Sequence, residues 1–359
     1  VTQPCRLPAG GRIDRSRTIR FRFDGREYEG HPGDTLASAL LANGVRLVAR
    51  SWKFHRPRGI FAAGMEEPSA LVRLGPGESG EPNRRATDIA LDDSLVASSQ
   101  HAWPSLGLDL AAPIGWLGRL FPAGFYYKMF FRSPALWRQV WEPLLRRMAG
   151  LGEAPRAADT ARYDKVHVHC DVAVVGAGPA GLAAALAAGR SGARVILVEA
   201  DRALGGSLLR RPGRLEPEWA ERVAGELTAL PETRVLTDTI AFGRYDGNYL
   251  MAAERGERNR LWHIRARRVV LATGAIERPP VFPGNDRPGV MLAGAVEAYV
   301  NRYAVAPGRR AVLFVNNDDA YHVAAALKGA EVAIAAIVDP RPEPGDTARA
   351  LVQGVPLYP

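Results

Sequence analysis

The stretch DVAVVGAGPAGL, residues 171–182, limits what this chain can fold into more than any other segment. An apolar run ends in a glycine-rich turn, an alanine- and leucine-rich segment follows, and ARVILVEA (193–200) returns as a second apolar run. Strand, turn, helix and strand at this length make one βαβ unit. Within it Gly176 permits the tight turn out of the strand, Gly178 lets the backbone approach a pyrophosphate, and Gly181 lets the helix lie close to the sheet. The amides and dipole at the helix start favour anionic phosphates. Glu199 closes the second strand, where a carboxylate accepts hydrogen bonds from a ribose diol and repels a 2′-phosphate. The unit predicts a bound dinucleotide, with NAD or FAD favoured over NADP.

Two later motifs narrow the class. EADRALGGSLL places Gly205, Gly206 and Ser207 shortly after the acid, and RRVVLATGAIERPP ends an apolar strand in Ala272, Thr273 and Gly274. Together with the glycine turn these resemble the glutathione-reductase-like fold of two-dinucleotide flavoproteins, in which both later segments run close to the cofactor. The predicted cofactor residues are Gly176, Ala177, Gly178, Pro179, Ala180, Gly181, Glu199, Ala200, Gly205, Gly206, Ser207, Thr273 and Gly274. A second strand–helix–strand pattern spans 309–339 and ends in Asp339, but its turn is Asn316, Asn317, Asp318 and Asp319. Two carboxylates and no glycine would repel and crowd a phosphate, so one dinucleotide site is expected. No nucleophile with a base and no paired carboxylates stand out, and no catalytic residue is assigned. His167 and His169 beside Cys170 lack a further convergent ligand, so no metal site is assigned either.

Ahead of this lies a different pattern. TIRFRFDGREYEG alternates Ile19, Phe21 and Phe23 into Asp24-Gly25, a hairpin signal, and HPGDTLASALLANG offers Asp34 as N-cap and Asn43-Gly44 as the stop of a helix. Hairpin then helix opens a β-grasp domain, assigned to 15–100. It resembles the ferredoxin-like module of multi-subunit amine oxidases, an impression that SWKFHRPRGIF and EEPSALVRL extend. A cluster in that module needs closely spaced thiolates, yet Ala62, Ala63, Gly64 and Met65 follow RGIF, and the two cysteines, Cys5 and Cys170, stand far apart. The expectation is a packing domain with no iron–sulfur cluster. The aromatic segment after it, with its polar tail, forms a connector (101–165) whose Trp137, Val140, Trp141, Leu144 and Leu145 recur at helical spacing and fill a seam or contact a neighbouring polypeptide. The dinucleotide domain follows at 166–300 and the second nucleotide-like domain at 301–359.

Of the formal net charge of +9, about +7 lies in residues 1–60, with twelve Arg or Lys against five Asp or Glu. Without aromatics interleaved on one face this reads as a solvated surface or one that meets an acidic partner, not as a nucleic-acid site. No long uncharged apolar run and no basic-then-apolar leader occur, so neither a membrane span nor export is expected, and cytoplasmic residence is the default.

The ordered set, with WPSL and AGFYYK in the connector and DRPGVMLAGAVEAYVNRYAV ahead of the glycine-poor turn, resembles the alpha subunits of heterotetrameric sarcosine oxidases from about Thr18 onward. That resemblance implies NAD held noncovalently by this chain, beta, gamma and delta subunits as partners, and flavins in the beta subunit. It implies an oxidoreductase acting on CH–NH donors, demethylating sarcosine to glycine with hydrogen peroxide formed and the one-carbon unit passed to tetrahydrofolate. It supplies no catalytic residue in this chain. The alternatives are the FAD-carrying subunit of a dye-linked amine, opine or proline dehydrogenase, and a non-catalytic structural subunit. Family alpha subunits continue well beyond the length seen here, so the first dinucleotide domain is expected to be incomplete at its C-terminal side and the isolated chain inactive.

Overall fold

The computed structural model describes residues 3–359 apart from 52, 101, 121–123, 125–132, 149–151, 212, 214, 216, 217, 257, 258 and 343. The AGFYYK motif, except Gly124, lies outside the described residues. The chain forms two compact units, Val1–Ala158 with Glu277–Pro359, and Asp159–Ile276. The second unit is one continuous stretch and contains every predicted cofactor residue; residues 277–300, grouped by motif with the dinucleotide domain, fall in the first unit.

In the first unit β1 (Ile19–Phe23) and β2 (Arg26–Gly30) form the expected hairpin, Asp24 and Gly25 both taking positive φ, 49° and 77°. Ile19, Phe21 and Phe23 face inward, alternating with exposed arginines as the period of two requires. The helix Leu36–Ala42 follows, wholly buried, and ends at Asn43 and Gly44 as its sequence predicts. Its N-cap is Thr35, which forms a reciprocal capping box with Ser38. Asp34, expected in that role, is instead drawn inward by Arg6, whose Nη2 lies 2.6 Å from Oδ2 in a buried ion pair. The strands β3 (Ala49–Arg50) and β4 (Pro57–Arg58) pair as a small ribbon. β5 (Leu71–Leu74), β6 (Glu81–Arg85) and β7 (Val96–Ser99) complete a sheet of order β2-β1-β7-β5-β6.

Between β4 and β5 the buried carboxylate of Glu67 organises a loop. Its Oε2 accepts the amides of Phe61 (2.8 Å) and Ala62 (2.6 Å), and its Oε1 those of Ser69 (2.6 Å) and Ala70 (2.8 Å). The connector's tail is helical over 134–148 with one π-type turn at Trp137–Trp141, and Trp116, Leu117 and Leu120 stand exposed ahead of it.

The second unit carries β8 (Tyr163–Val175), β9 (Val195–Val198), β10 (Thr233–Leu236), β11 (Thr239–Tyr245), β12 (Tyr249–Glu254) and β13 (Asn259–Leu271) in one sheet of order β10-β9-β8-β13-β12-β11. The first four strands of that order run parallel and the last two are antiparallel to their neighbours. The helices Pro179–Arg190 and Trp219–Ala229 cover one face over Val174, Leu182, Val195, Leu197, Val223 and Leu227. Trp262, Ile264, Leu250 and Ile196 pack in the other core.

The chain then re-enters the first unit. Leu292 donates its amide to the Phe61 carbonyl (2.9 Å), and the helix Ala293–Asn301 sends Ala295 and Tyr299 into the core that holds Phe21, Leu36 and Leu40. The Tyr299 hydroxyl donates to the Ala62 carbonyl at 2.8 Å. Complete burial, with the Glu67 charge adding to it, pushes that phenol well above its usual pKa. Last come β14 (Arg310–Phe314), β15 (Ala333–Val338) and β16 (Leu357–Tyr358), a parallel sheet packed against the helix Tyr321–Gly329.

Candidate functional site

The glycine turn sits at the carboxyl end of β8, the side of a parallel sheet where open α/β folds bind ligands. Gly176 leaves the strand at φ 97°. A Cβ there would lie 2.4 Å from the Ala272 carbonyl oxygen, and at Gly181 one would lie 1.8 Å from the Gly176 carbonyl oxygen. Both glycines are spent on packing. Gly178 differs: a Cβ there would meet nothing within 4 Å. It caps the helix Pro179–Arg190 without a side-chain hydrogen bond, so the first-turn amides, which have no intrahelical acceptor, are not partnered by the cap's side chain. Pro179 occupies the first helical position, where no amide is needed, and Ala180 is exposed behind it.

The other predicted residues converge on this turn. Gly205 donates its amide to the Ala177 carbonyl (2.9 Å), and Gly206, at φ 53°, approaches so closely that a Cβ would lie 2.8 Å from Gly178 Cα. Ser207 opens the short helix Ser207–Arg210. Strand β13 brings Ala272 beside the turn, its amide bonded to the Val175 carbonyl (2.8 Å), with Thr273 and Gly274 exposed after it.

Glu199 stands at the end of β9, half-buried, next to Ala200. Its carboxylate is already engaged: Oε2 accepts the Ala177 amide (2.6 Å) and Oε1 the Asp201 amide (2.8 Å). The motif hides this second task, because backbone donors leave no trace in residue type. Since an ionised carboxylate has about four acceptor positions, two bonds leave capacity for a diol. Within β8, four residues before its carboxyl end, Arg194 hydrogen-bonds Asp171 and holds its carboxyl well below the usual range. Burial pushes the Cys170 thiol up to about 11, so it is a neutral core residue at neutral pH. Among the described residues no group of three or more His, Cys, Asp or Glu is placed to hold a metal.

The second turn is filled by its own side chains. Arg341 Nη1 lies 2.8 Å from Asp318 Oδ1, and Arg341 also bonds both oxygens of buried Asp339. The Tyr321 hydroxyl donates to Asp339 at 2.8 Å. These bonds, the arginine's foremost, hold Asp339 at about 2. The carboxylate at the ribose-acid position is thus committed to an arginine.

Residues 16–102 match the family described as a 2Fe-2S iron-sulfur cluster binding domain, and residues 170–312 match the pyridine nucleotide-disulphide oxidoreductase family. The sarcosine oxidase alpha subunit of Rhizobium meliloti (strain 1021) is 52% identical over 95% of this chain and 36% of its own length. That of Corynebacterium sp. (strain U-96) is 37% identical over 99% of this chain and 34% of its own. The chain thus spans about a third of the length of these relatives. The solved L-proline dehydrogenase from P. horikoshii shares the fold, with a TM-score of 0.63 and 24% identity over 94% of this chain and 56% of that one.

The first of these matches corrects the expectation of no iron–sulfur cluster: residues 16–102 are of a cluster-binding family. That expectation rested on one loop, whereas the match rests on the pattern of the whole domain. The donor set is a separate observation. A cluster of this kind takes four cysteine thiolates, and the chain has Cys5 and Cys170, one in each unit. These residues do not fit such a group, and no chemistry is routed through one.

Proposed function

This chain belongs with the sarcosine oxidase alpha subunit-like oxidoreductases, and from that premise we propose that it is the NAD-holding subunit of a multi-subunit amine oxidase. The reaction is the oxidative demethylation of sarcosine: oxygen takes two electrons and becomes hydrogen peroxide, the methyl carbon passes to tetrahydrofolate, and glycine is released. Beta, gamma and delta subunits complete the assembly in the cytoplasm and supply the amine site, so the isolated chain does not turn over. No helix among the described residues is long and apolar enough to cross a membrane.

One observation carries the dinucleotide reading: of the three glycines in the turn, Gly178 alone borders open space, at the start of an uncapped helix and beside Glu199's strand end. The first-turn amides of the helix bind the pyrophosphate, Gly206 keeps the approach narrow, and Glu199 accepts from the adenosine ribose. When bound, the dinucleotide supplies hydride-transfer capacity and the chain orients it. Titrating the purified protein with NAD, NADP and FAD while following its melting temperature tests this. NAD should stabilise and NADP should not. A yellow protein that FAD stabilises instead would give the site to a flavin, and stabilisation by none of the three would overturn the reading.

A further inference from the structure

Residues 167–169 of β8 read His-Val-His, and the sheet brings a third histidine beside them. His263 of β13 pairs with His167 in register, and the two imidazoles stack with centroids 4.3 Å apart and planes within 14°. Both rings stand on the side of the sheet opposite Trp262 and Ile264, because alternate residues of a strand take opposite faces. From β12 comes Tyr249: its ring centre lies 5.9 Å from that of His263, and its hydroxyl is bonded to His263 Nδ1. Tyr245 of β11 follows, 5.9 Å beyond. A row of four rings thus crosses four neighbouring strands, and within it His263 Nε2 is enclosed with no hydrogen-bond partner among the described residues.

The charges around this row are basic. Lys165 and His169 share its side of β8, and the Arg265 guanidinium of β13 lies 5.0 Å over the Tyr249 ring. Asp171, the carboxylate on that side of β8, is held by Arg194 and Arg267, and Glu254 of β12 bonds Arg260 and Trp262. A neutral imidazole fits here better than an imidazolium. The neutral ring has one donor and one acceptor nitrogen, and Nδ1 can take either role toward the Tyr249 hydroxyl. The protonated ring has two donors, so Nε2–H would bring positive charge into an enclosed place without an acceptor, against a second imidazole and Lys165. Burial foremost, then His167 and Lys165, accordingly hold His263 below the usual imidazole range.

We propose that His263, stacked on His167 and tied to Tyr249, is a proton-sensitive joint in the sheet of the second unit. Neutral, it fastens β12 to the β8–β13 pair through the row of rings; on taking a proton it weakens that hold, so mild acid loosens the β11–β12 edge. Linkage fixes the direction. The folded ring takes its proton less readily than the unfolded one, so the joint's contribution is whole above pH 6.5 and is lost as pH falls from there through the folded value. Its working does not depend on what the glycine turn holds.

Two measurements on the full chain test this. In the first, NMR of the unaltered protein with isotopically labelled histidine follows the imidazole that contacts the Tyr249 ring. It should titrate below 6.5, and nearer to that value once His167→Phe removes the second imidazole. Titration at 6.5 or above in the unaltered chain would overturn the proposal, and this arm needs no variant to fold. In the second, amide hydrogen exchange of residues 239–254 is compared at about pH 7.5 and about pH 5.5 after correction for its intrinsic pH dependence. Exchange should quicken about threefold or more in acid in the unaltered chain and stay level in His263→Phe, which keeps a ring in the row but has no proton to take. If both chains quicken alike, or neither does, the ring is not the joint.

Discussion

The chain contains two strand–turn–helix–strand units that differ at their turns. In 171–199 the turn is made of glycines, two pressed against neighbouring carbonyls and one facing open space, and the acid at the end of the second strand bonds to backbone amides. In 309–339 the turn carries Asp318, Arg341 clamps it to Asp339, and the acid at the second strand end is bonded to an arginine and a tyrosine. The same topology leaves open space at Gly178 in one case and is filled by side chains in the other. What decides is whether the polar groups at the mouth of the helix are already partnered by side chains.

Four measurements would sharpen or break this contrast. The largest effect is expected for Gly181→Val, whose Cβ would have to displace the Gly176 carbonyl 1.8 Å away. A loss of at least about 3 kcal/mol, the upper range for overpacking, should appear in denaturant unfolding, and near-normal stability would mean the turn is not held by that contact. Next is Glu199→Gln, which sets an amide NH2 against one of two backbone donors and should cost about 1–3 kcal/mol even without ligand. If only NAD affinity fell, the carboxylate's structural task would be disproved. Gly178→Val should leave the unliganded melt within about 1 kcal/mol of normal while erasing the gain from NAD, because its side chain enters open space. Retained stabilisation by NAD would place the ligand elsewhere.

The smallest effect belongs to the second turn. Asp339 has a folded pKa of about 2 against an ordinary 3.8, so its contribution is present above pH 3.8 and disappears as pH falls from there through 2. Melting curves across that range should show an acid loss that Arg341→Ala reduces. If both chains lose stability alike, the arginine clamp is not its source.

Much of this was legible in residue order, and the reasons are local. Asp24-Gly25 announces a hairpin because few other pairs take two positive φ angles, and the GAGPAG spacing announces its turn because no side chain fits at 176 or 181. What stayed hidden depends on long-range backbone partners. Thr35 displaced Asp34 as the cap because Arg6, far back in the chain, recruits the aspartate. The two amides on Glu199 and the four on Glu67 are contributed by main chain, to which residue type is blind. Residues 277–305 followed a nucleotide-domain motif in sequence, yet their apolar face completes the other unit.

That last arrangement has a consequence for synthesis. The N-terminal core needs Ala295, Tyr299, Tyr303 and Val305, which leave the ribosome only after all of 159–276 has been made. The segment begun first can therefore be completed only after the whole of the contiguous unit and the helix that follows it have been translated.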